Sequence, residues 1–182
     1  MIKRILVLTA VVFCSVAAMA QFSKATLQAS GLTCAMCSKA VKVALEKVSF
    51  VKEVKVDIKK QEYTIAFKEN ADIEFDALKK AVEDAGFSVA SLKVTGTISE
   101  LSIQKDKHVK IGGKNFLFLN GFNQILNGEQ TLTLVDKNFL SAKDFKKYSS
   151  GSKLECVQTG KAGSCCARDG IHADERVYHV TI

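Results

Sequence analysis

The sequence predicts an α+β fold, because a segment of mixed strands and helices is followed by a segment made almost entirely of strands. Up to about residue 93, four stretches of alternating apolar residues are combined with two in which apolar residues recur at helical spacing. Alternation dominates from there to the end of the chain. The length of 182 residues suits two small domains, which we place at residues 21–93 and 94–182, after a leader of residues 1–20.

The first twenty residues have the three parts of a secretory signal. Lys3 and Arg4 form a basic start, an apolar run follows, and residues 18–20 read Ala-Met-Ala, a small-x-small cleavage pattern. We therefore expect the mature chain to begin at Gln21 and to be exported, with the periplasm as its compartment. The apolar run is short for a membrane span, so we expect no stable membrane insertion, and an uncleaved anchor is the alternative.

The formal charge of the chain is +7, and its basic residues are scattered rather than clustered. Such a distribution indicates a solvated surface that favours acidic partners. Nucleic acid is not an expected partner of an exported protein with this charge pattern.

The first predicted domain has six elements in the order β-α-β-β-α-β. We expect Asp72 to cap the second helix and Gly86 to end it. This order is the split βαβ, or ferredoxin-like, arrangement, in which both helices cover one face of an antiparallel sheet. The predicted strands lie at residues 25–29, 54–58, 63–67 and from 87 onward, and the predicted helices at residues 37–48 and 75–85.

The second predicted domain is mostly β, and its order of strands, one helix and two strands resembles a small OB-like barrel. Gly112 and Gly113 form the turn of a predicted hairpin, and Ser141 is the expected cap of the helix. A glycine-rich loop at residues 160–174 precedes the last strand. The predicted strands lie at residues 94–103, 108–111, 116–119, 132–135, 154–157 and 177–182, and the predicted helix at residues 141–148.

Cys34 and Cys37 stand where the first loop meets the first helix. Their i to i+3 spacing places both sulfurs on one side of the helix start. The unpaired N–H groups and partial positive charge of a helix N-terminus favour thiolates, and Lys39 and Lys42 add positive potential. Two thiolates are a sufficient ligand set for Cu(I), and they also accept Ag(I), Hg(II) and, less well, Zn(II). The motif therefore predicts a soft-metal site from which a partner's cysteine can take the ion by ligand exchange.

Residues 31–37 read Gly-Leu-Thr-Cys-Ala-Met-Cys between a predicted strand and a predicted helix. Over about residues 24–93 the chain resembles the heavy-metal-associated domain family. Members of that family include copper chaperones, metal-binding domains of copper-transporting ATPases and periplasmic mercuric-ion-binding proteins. The family pattern is roughly Gly-Met-Thr-Cys-x-x-Cys, and Leu32 replaces its methionine.

The resemblance implies roles for particular residues. Cys34 and Cys37 are the implied metal ligands, Thr33 shapes the loop, and Phe87 shields the metal from the facing loop. Met36 occupies a variable, solvent-facing position and is not an implied ligand. We expect an exported protein that binds and sequesters or delivers Cu(I), with Hg(II) as the alternative. Its expected partner is a metal acceptor such as a copper-transporting ATPase.

A CxxC pair also occurs in thiol–disulfide oxidoreductases and in structural disulfides. Enzymes that resemble thioredoxin carry a cis-proline beside the site and a tryptophan before the motif, and this chain contains neither residue type. We therefore expect no enzymatic activity. An oxidoreductase and a structural Cys34–Cys37 disulfide are the alternatives.

Cys156, Cys165 and Cys166 form a second group. Five cysteines remain once Cys14 leaves with the leader, so at least one is unpaired, metal-bound or intermolecular. We expect a disulfide from Cys156 to one of the adjacent pair, which would staple the last strands. A second soft-metal site that adds His172 is the first alternative, and free reactive thiols are the second.

Overall fold

The computed structural model describes residues 21–182. The predicted leader and Cys14 lie outside the described residues. Among those residues, none of the helices has both the length and the apolar character that a membrane crossing requires. The strands are β1 Gln21–Ser30, β2 Val51–Asp57, β3 Glu62–Phe67, β4 Ser88–Ile103, β5 His108–Ile111, β6 Lys114–Phe118, β7 Gln124–Leu134 and β8 Val177–Thr181; the α-helices are α1 Ala35–Glu46, α2 Phe75–Asp84, α3 Ala142–Ser149 and α4 Glu155–Thr159, and Ser164–Asp169 forms a 3-10 helix.

The first six elements confirm the predicted β-α-β-β-α-β order. β1 pairs antiparallel with β3 on one side and with β4 on the other, and β2 pairs with β3. Three of the apolar residues at helical spacing, Val41 and Leu45 of α1 and Leu78 of α2, are fully buried. The ferredoxin-like arrangement is therefore confirmed for this part of the chain.

The N-terminus of α2 differs from the prediction. The helix begins at Phe75 with Glu74 as its N-cap residue, so the expected Asp72 cap is wrong. Asp72 instead pairs with Lys114, whose Nζ lies 2.9 Å from Oδ1 of Asp72 and 3.1 Å from Oε2 of Glu74. Gly86 follows the last turn with a φ of 87°, a left-handed conformation that suits glycine, so the predicted stop is confirmed.

β4 is 16 residues long and belongs to both predicted domains. Its residues 88–97 pair with β1, and its residues 92–103 pair with β7. The predicted boundary between residues 93 and 94 thus lies inside a strand. The division into two separately folding domains stays a prediction.

The eight strands of the described chain form one open sheet in the order β2-β3-β1-β4-β7-β8-β6-β5. The predicted OB-like barrel is therefore wrong. The C-terminal strands extend the first sheet outward from β4 instead of closing on themselves, and β2 and β5 occupy the two edges. Alternating apolar residues predict strands but do not predict which strands pair, so they could not separate the two topologies.

Aromatic side chains from both parts of the chain meet beside α2. The ring centroid of Phe75 in α2 lies 5.1 Å from that of Tyr178 in β8 and 6.3 Å from that of Phe116 in β6. The ring of Phe22 in β1 lies 5.3 Å from Phe75 and 5.7 Å from Phe116. All four side chains are buried, and most of the pairs meet edge to face. The helix layer thus packs on strands from both parts of the sheet.

β6 and β8 are covered on both faces. Phe116 and Tyr178 face the core under α2, whereas the alternate residues Leu117 and Val177 join a smaller apolar cluster with residues of α3, α4 and the 3-10 helix. All five residues of β8 are buried, as expected for a strand between two layers. The short C-terminal helices therefore cover the face of the sheet opposite to α1 and α2.

The segment at residues 154–157, predicted as a strand, is helical, so that prediction is wrong. α4 ends at Gly160, whose φ of 71° is the left-handed conformation of a helix C-terminal stop. The expected loop at residues 160–174 contains the 3-10 helix, which ends at Gly170 with a φ of 76°. A helix of five residues is too short to display a 3.6-residue period, so only the glycine stops could have indicated these turns.

The other predicted C-terminal elements are present, although some of their bounds differ from the prediction. Gly112 and Gly113 connect β5 and β6, which pair antiparallel as predicted. Ser141 caps α3, because its Oγ accepts a hydrogen bond from the N–H of Asp144 at 3.2 Å. β7 begins eight residues earlier than predicted, at Gln124 instead of residue 132.

Candidate metal centre

The first loop and the first turn of α1 hold the CxxC motif in place. Gly31 follows β1 with a φ of 87°, a left-handed backbone that suits glycine. Gln61 donates a hydrogen bond from Nε2 to the carbonyl oxygen of Leu32 at 3.1 Å, which anchors the loop to the β2–β3 turn. Cys34 is the extended N-cap residue of α1, and its carbonyl accepts the N–H of Ser38 at 3.3 Å.

Cys34 and Cys37 carry free thiols that face each other. Their Sγ atoms lie 3.0 Å apart, well beyond the length of about 2.05 Å of a disulfide bond. Cys34 is exposed and Cys37 is half-buried. The Oγ1 of Thr33 lies 3.8 Å from Sγ of Cys37. The structure thus brings the two predicted ligands together at an open surface, where one ion can contact both sulfurs.

The surroundings of Cys37 favour its thiolate. The side chain of Cys34, followed by the backbone and side chain of Thr33, lowers the pKa of Cys37 to about 7 through hydrogen bonds. The first turn of α1, described in full, has no acidic side chain, and its free N–H groups add partial positive charge. Of the two lysines expected to help, Lys42 pairs at 3.0 Å with Glu46, further along the helix. Cys37 is therefore partly ionised near neutral pH.

The residues beneath and beside the motif fix its backbone. Tyr63 of β3 is buried, and its hydroxyl donates to the carbonyl oxygen of Ser38 at 3.3 Å, which holds the first turn of α1 on the sheet. Phe87 packs at the base of the loop, with its ring 3.9 Å from the point that a Cβ on Gly31 would occupy. The ring therefore flanks the loop, while shielding of an ion stays a prediction. Met36 is 72% exposed.

The second cysteine group is drawn together by α4 and the 3-10 helix. Cys156 lies on α4, and the Sγ atoms of Cys165 and Cys166 on the 3-10 helix are 3.5 Å apart. Nε2 of His108 lies 3.5 Å from Sγ of Cys156 and 3.4 Å from Sγ of Cys166. All five described cysteines are free thiols, and the predicted disulfide, which depends on oxidation, stays a prediction.

The histidine beside this group is not the one that the sequence suggested. His172 is exposed and lies outside the close group of ligand atoms, whereas His108, with no predicted role, lies inside it. His108 is 48 residues from Cys156 along the chain, and no local spacing connects the two. His179 is fully buried, with Nδ1 2.7 Å from Oδ1 of Asp136.

The surroundings of the second cysteine group have opposite effects on the ionisation of Cys156 and of Asp169. Burial raises the pKa of the Cys156 thiol, and the neighbouring Cys166 and Cys165 raise it further. Partial burial also works against ionisation of Asp169, but hydrogen bonds from the backbone and the ring of His108 outweigh it and lower the pKa of that carboxyl. Asp169 is therefore ionised, whereas the Cys156 thiol is neutral at physiological pH unless a cation binds it.

Comparison with known proteins places the CxxC motif in a described family. The model of the heavy-metal-associated domain matches residues 26–88. The periplasmic component of a mercuric transport protein from Salmonella typhi is 41% identical over 68 residues, which cover 37% of this chain and 72% of that protein. A probable copper-exporting P-type ATPase from Archaeoglobus fulgidus is 33% identical over 84 residues, or 45% of this chain. The match spans only 10% of the length of that ATPase.

Two solved structures are similar to the same part of the chain. A copper binding domain from HMA7, a P-type ATPase, is 34% identical, with 37% of this chain and 89% of that domain covered and a TM-score of 0.34. Oxidized MerP from Ralstonia metallidurans CH34 is 31% identical, with 38% and 96% covered and a TM-score of 0.35. From the matched residues 26–88 and the long match to the mercuric transport component, the chain belongs to the heavy-metal-associated domain family.

Proposed function

We propose that this chain binds Cu(I) outside the cytoplasm and either holds it or delivers it to an acceptor protein. The observation that carries the proposal is the pair of free Sγ atoms of Cys34 and Cys37, 3.0 Å apart at an exposed helix start. Soft monovalent copper is satisfied by two thiolates, so no further protein ligand is needed. The similarity to the probable copper-exporting ATPase supports copper as the cargo.

The openness of the site supports transfer rather than permanent storage. Because Cys34 is exposed, a thiolate of a partner protein can approach the bound ion from solvent. The incoming thiolate then binds the ion while the sulfur of Cys34 or Cys37 dissociates from it. The ion is thus transferred to the partner by ligand exchange without being released into water. We propose that the acceptor is the metal-binding domain of a copper-transporting ATPase or another exposed thiol pair.

Mercuric ion is the second candidate cargo. It is favoured by the 41% identity to the mercuric transport component, of which this chain covers 72%. Two thiolates bind Hg(II) as readily as Cu(I), so affinity for the purified chain does not separate the two candidates. The two candidates are separated by the metal content of the chain isolated from its exported compartment. Copper in the chain from cells grown with added copper supports the proposal. Mercury alone in the chain from cells exposed to both metals overturns it.

Competition with a chromophoric Cu(I) chelator tests the site itself. The double variant Cys34→Ser/Cys37→Ser should bind one equivalent of Cu(I) fewer than the reduced wild-type chain, with an unchanged circular dichroism spectrum. The matched control is Met36→Ala, which removes an exposed thioether between the two cysteines and should leave the Cu(I) stoichiometry and affinity unchanged. An unchanged stoichiometry in the double variant would overturn the assignment of the ligands.

A further inference from the structure

Three ligand atoms from distant parts of the chain converge inside the C-terminal part of the molecule. Nε2 of His108 and the Sγ atoms of Cys156 and Cys166 all lie within 4.8 Å of one another, and all three residues are buried. His108 comes from β5, Cys156 from α4 and Cys166 from the 3-10 helix. A buried cluster of one imidazole and two thiols has no counterpart in the CxxC motif, which lies at the surface.

The distances within this cluster fit one tetrahedral ion. A zinc–thiolate bond of about 2.3 Å and a zinc–imidazole bond of about 2.0 Å, at a tetrahedral angle, separate sulfur from nitrogen by about 3.5 Å. Nε2 of His108 lies 3.5 Å from Sγ of Cys156 and 3.4 Å from Sγ of Cys166. Both sulfur–nitrogen distances thus match those expected around a bound ion.

Asp169 orients the imidazole for this role. Its Oδ2 lies 2.7 Å from Nδ1 of His108 and 3.0 Å from the backbone N of the same residue. The His108 side chain is 1% exposed and that of Asp169 is 12% exposed. A carboxylate on Nδ1 places the proton there and leaves the lone pair of Nε2 directed at the two sulfurs. This carboxylate–histidine pair is the arrangement that supports histidine ligands in metal sites.

Cys165 lies beside this cluster: its Sγ is not among the ligand atoms that all lie within 4.8 Å of one another, so it becomes the fourth donor by turning its side chain toward them. Its Sγ lies 3.5 Å from Sγ of Cys166, and its half-buried side chain also interacts with Cys156. Three thiolates and one imidazole form the closed Cys3His set of structural zinc sites. A disulfide between two of the cysteines, in contrast, would leave the buried Nε2 of His108 facing sulfur without a strong partner.

We propose that His108, Cys156, Cys165 and Cys166 form a second metal site, which holds one Zn(II) ion as a structural element. This site is independent of the proposed copper function, because none of its residues belongs to the CxxC motif. The ion fastens α4 and the 3-10 helix to β5 and thereby holds the layer that covers the second face of β6 and β8. The two sites differ in kind: the first is exposed and suited to transfer, and the second is closed.

The test uses the full mature chain with Cys34→Ser/Cys37→Ser, reduced and metal-free, so that its outcome does not depend on the copper site. Native mass spectrometry after Zn(II) addition should show one ion per chain, and Co(II) in its place should give the absorption of tetrahedral thiolate coordination. Zn(II) should protect Cys156, Cys165 and Cys166 from alkylation. Binding of no Zn(II), or Zn(II) binding that leaves these three cysteines open to alkylation, would overturn the proposal.

Two conservative variants in the same background keep the test independent of folding. Asp169→Asn retains the shape of the side chain and should weaken Zn(II) binding by about 10–100-fold, because it removes the carboxylate that orients His108. His172→Gln changes an exposed neighbouring histidine and should leave the affinity unchanged. Equal affinities in Asp169→Asn and His172→Gln, or a Cys156 disulfide to Cys165 or Cys166 in chain isolated without reductant, would contradict the site.

Discussion

The lowered pKa of Cys37 is a property that metal ligands share with redox-active cysteines. Cys34 and Thr33 favour the thiolate of Cys37 by hydrogen bonding, and a thiolate is both the form that binds metal ions and the form that attacks disulfides. The difference between the two functions therefore lies in the groups around the motif. The chain contains no proline and no tryptophan, the two residue types that flank the motif in enzymes that resemble thioredoxin.

We therefore predict that the protein does not catalyse thiol–disulfide exchange. The reduced mature chain should reduce insulin no faster than an equal concentration of free dithiol, because the chain has neither the proline nor the tryptophan that flank the motif in such enzymes. Turbidity of precipitating insulin measures the rate. A faster rate that disappears in Cys34→Ser would contradict the metal-binding function and favour the oxidoreductase.

Single residues also show where sequence-based prediction stops. Cys34 and Cys37 could be predicted as a pair, because four residues of local sequence and one helix start fix their geometry. Cys156 and Cys166 could be predicted as neighbours, because only a short segment of chain separates them. His108 could not, since its approach to Cys156 across 48 residues follows from the pairing of β5 with β6 beside β8, which local patterns do not encode.

At the level of elements, β4 depends on a close approach of two backbones. Its residue Gly96 lies opposite Phe22 at an irregularity in the β1–β4 register. A Cβ added to Gly96 would lie 2.5 Å from the carbonyl oxygen of Gln21 and 2.8 Å from Cα of Phe22. Only glycine permits these two strands to approach so closely, because backbone atoms cannot move aside as a flexible side chain can.

Gly96→Ala should therefore lower the free energy of unfolding by about 1–3 kcal/mol, as expected for a side chain inserted into a tightly packed site. Urea unfolding followed by circular dichroism measures the change. Gly151→Ala is the matched control, because a Cβ there would meet nothing within 4 Å and the backbone is not left-handed. Equal stabilities of the two variants would show that β1 and β4 do not pack as described.

Elements also differ in how well their patterns predicted them. The amphipathic helices α1 and α2 were predicted because they are long enough to repeat a 3.6-residue period. α4 was not, because two apolar residues in a five-residue helix give no period. The strands of the C-terminal part were predicted, but their assembly into an extension of the first sheet was not. That assembly depends on β4, which pairs with both β1 and β7 along its 16 residues.

For the whole molecule, the shared aromatic core predicts that the two parts stabilise each other. Phe116 of β6 is fully buried and contacts Phe22 and Phe75, which belong to the metal-binding part. Phe116→Ala should lower the free energy of unfolding by about 3–5 kcal/mol. Backbone amides of both β3 and β8 should lose protection against hydrogen exchange, because the two strands share that core.

The control for this prediction is Ile125→Ala. Ile125 is 69% exposed on β7, and its truncation should change hydrogen exchange little in either part. Loss of protection confined to the C-terminal strands in Phe116→Ala would show that the two parts fold separately.

X-ray absorption at the copper edge shows directly whether one Cu(I) ion binds between Cys34 and Cys37. The reduced mature chain, with Zn(II) supplied first, is loaded with one equivalent of Cu(I). We expect two sulfur neighbours and no nitrogen around the copper, because the CxxC site contains thiolates alone. Imidazole nitrogen in the copper shell would instead place the ion at His108 and would show that Cys34 and Cys37 are not its ligands.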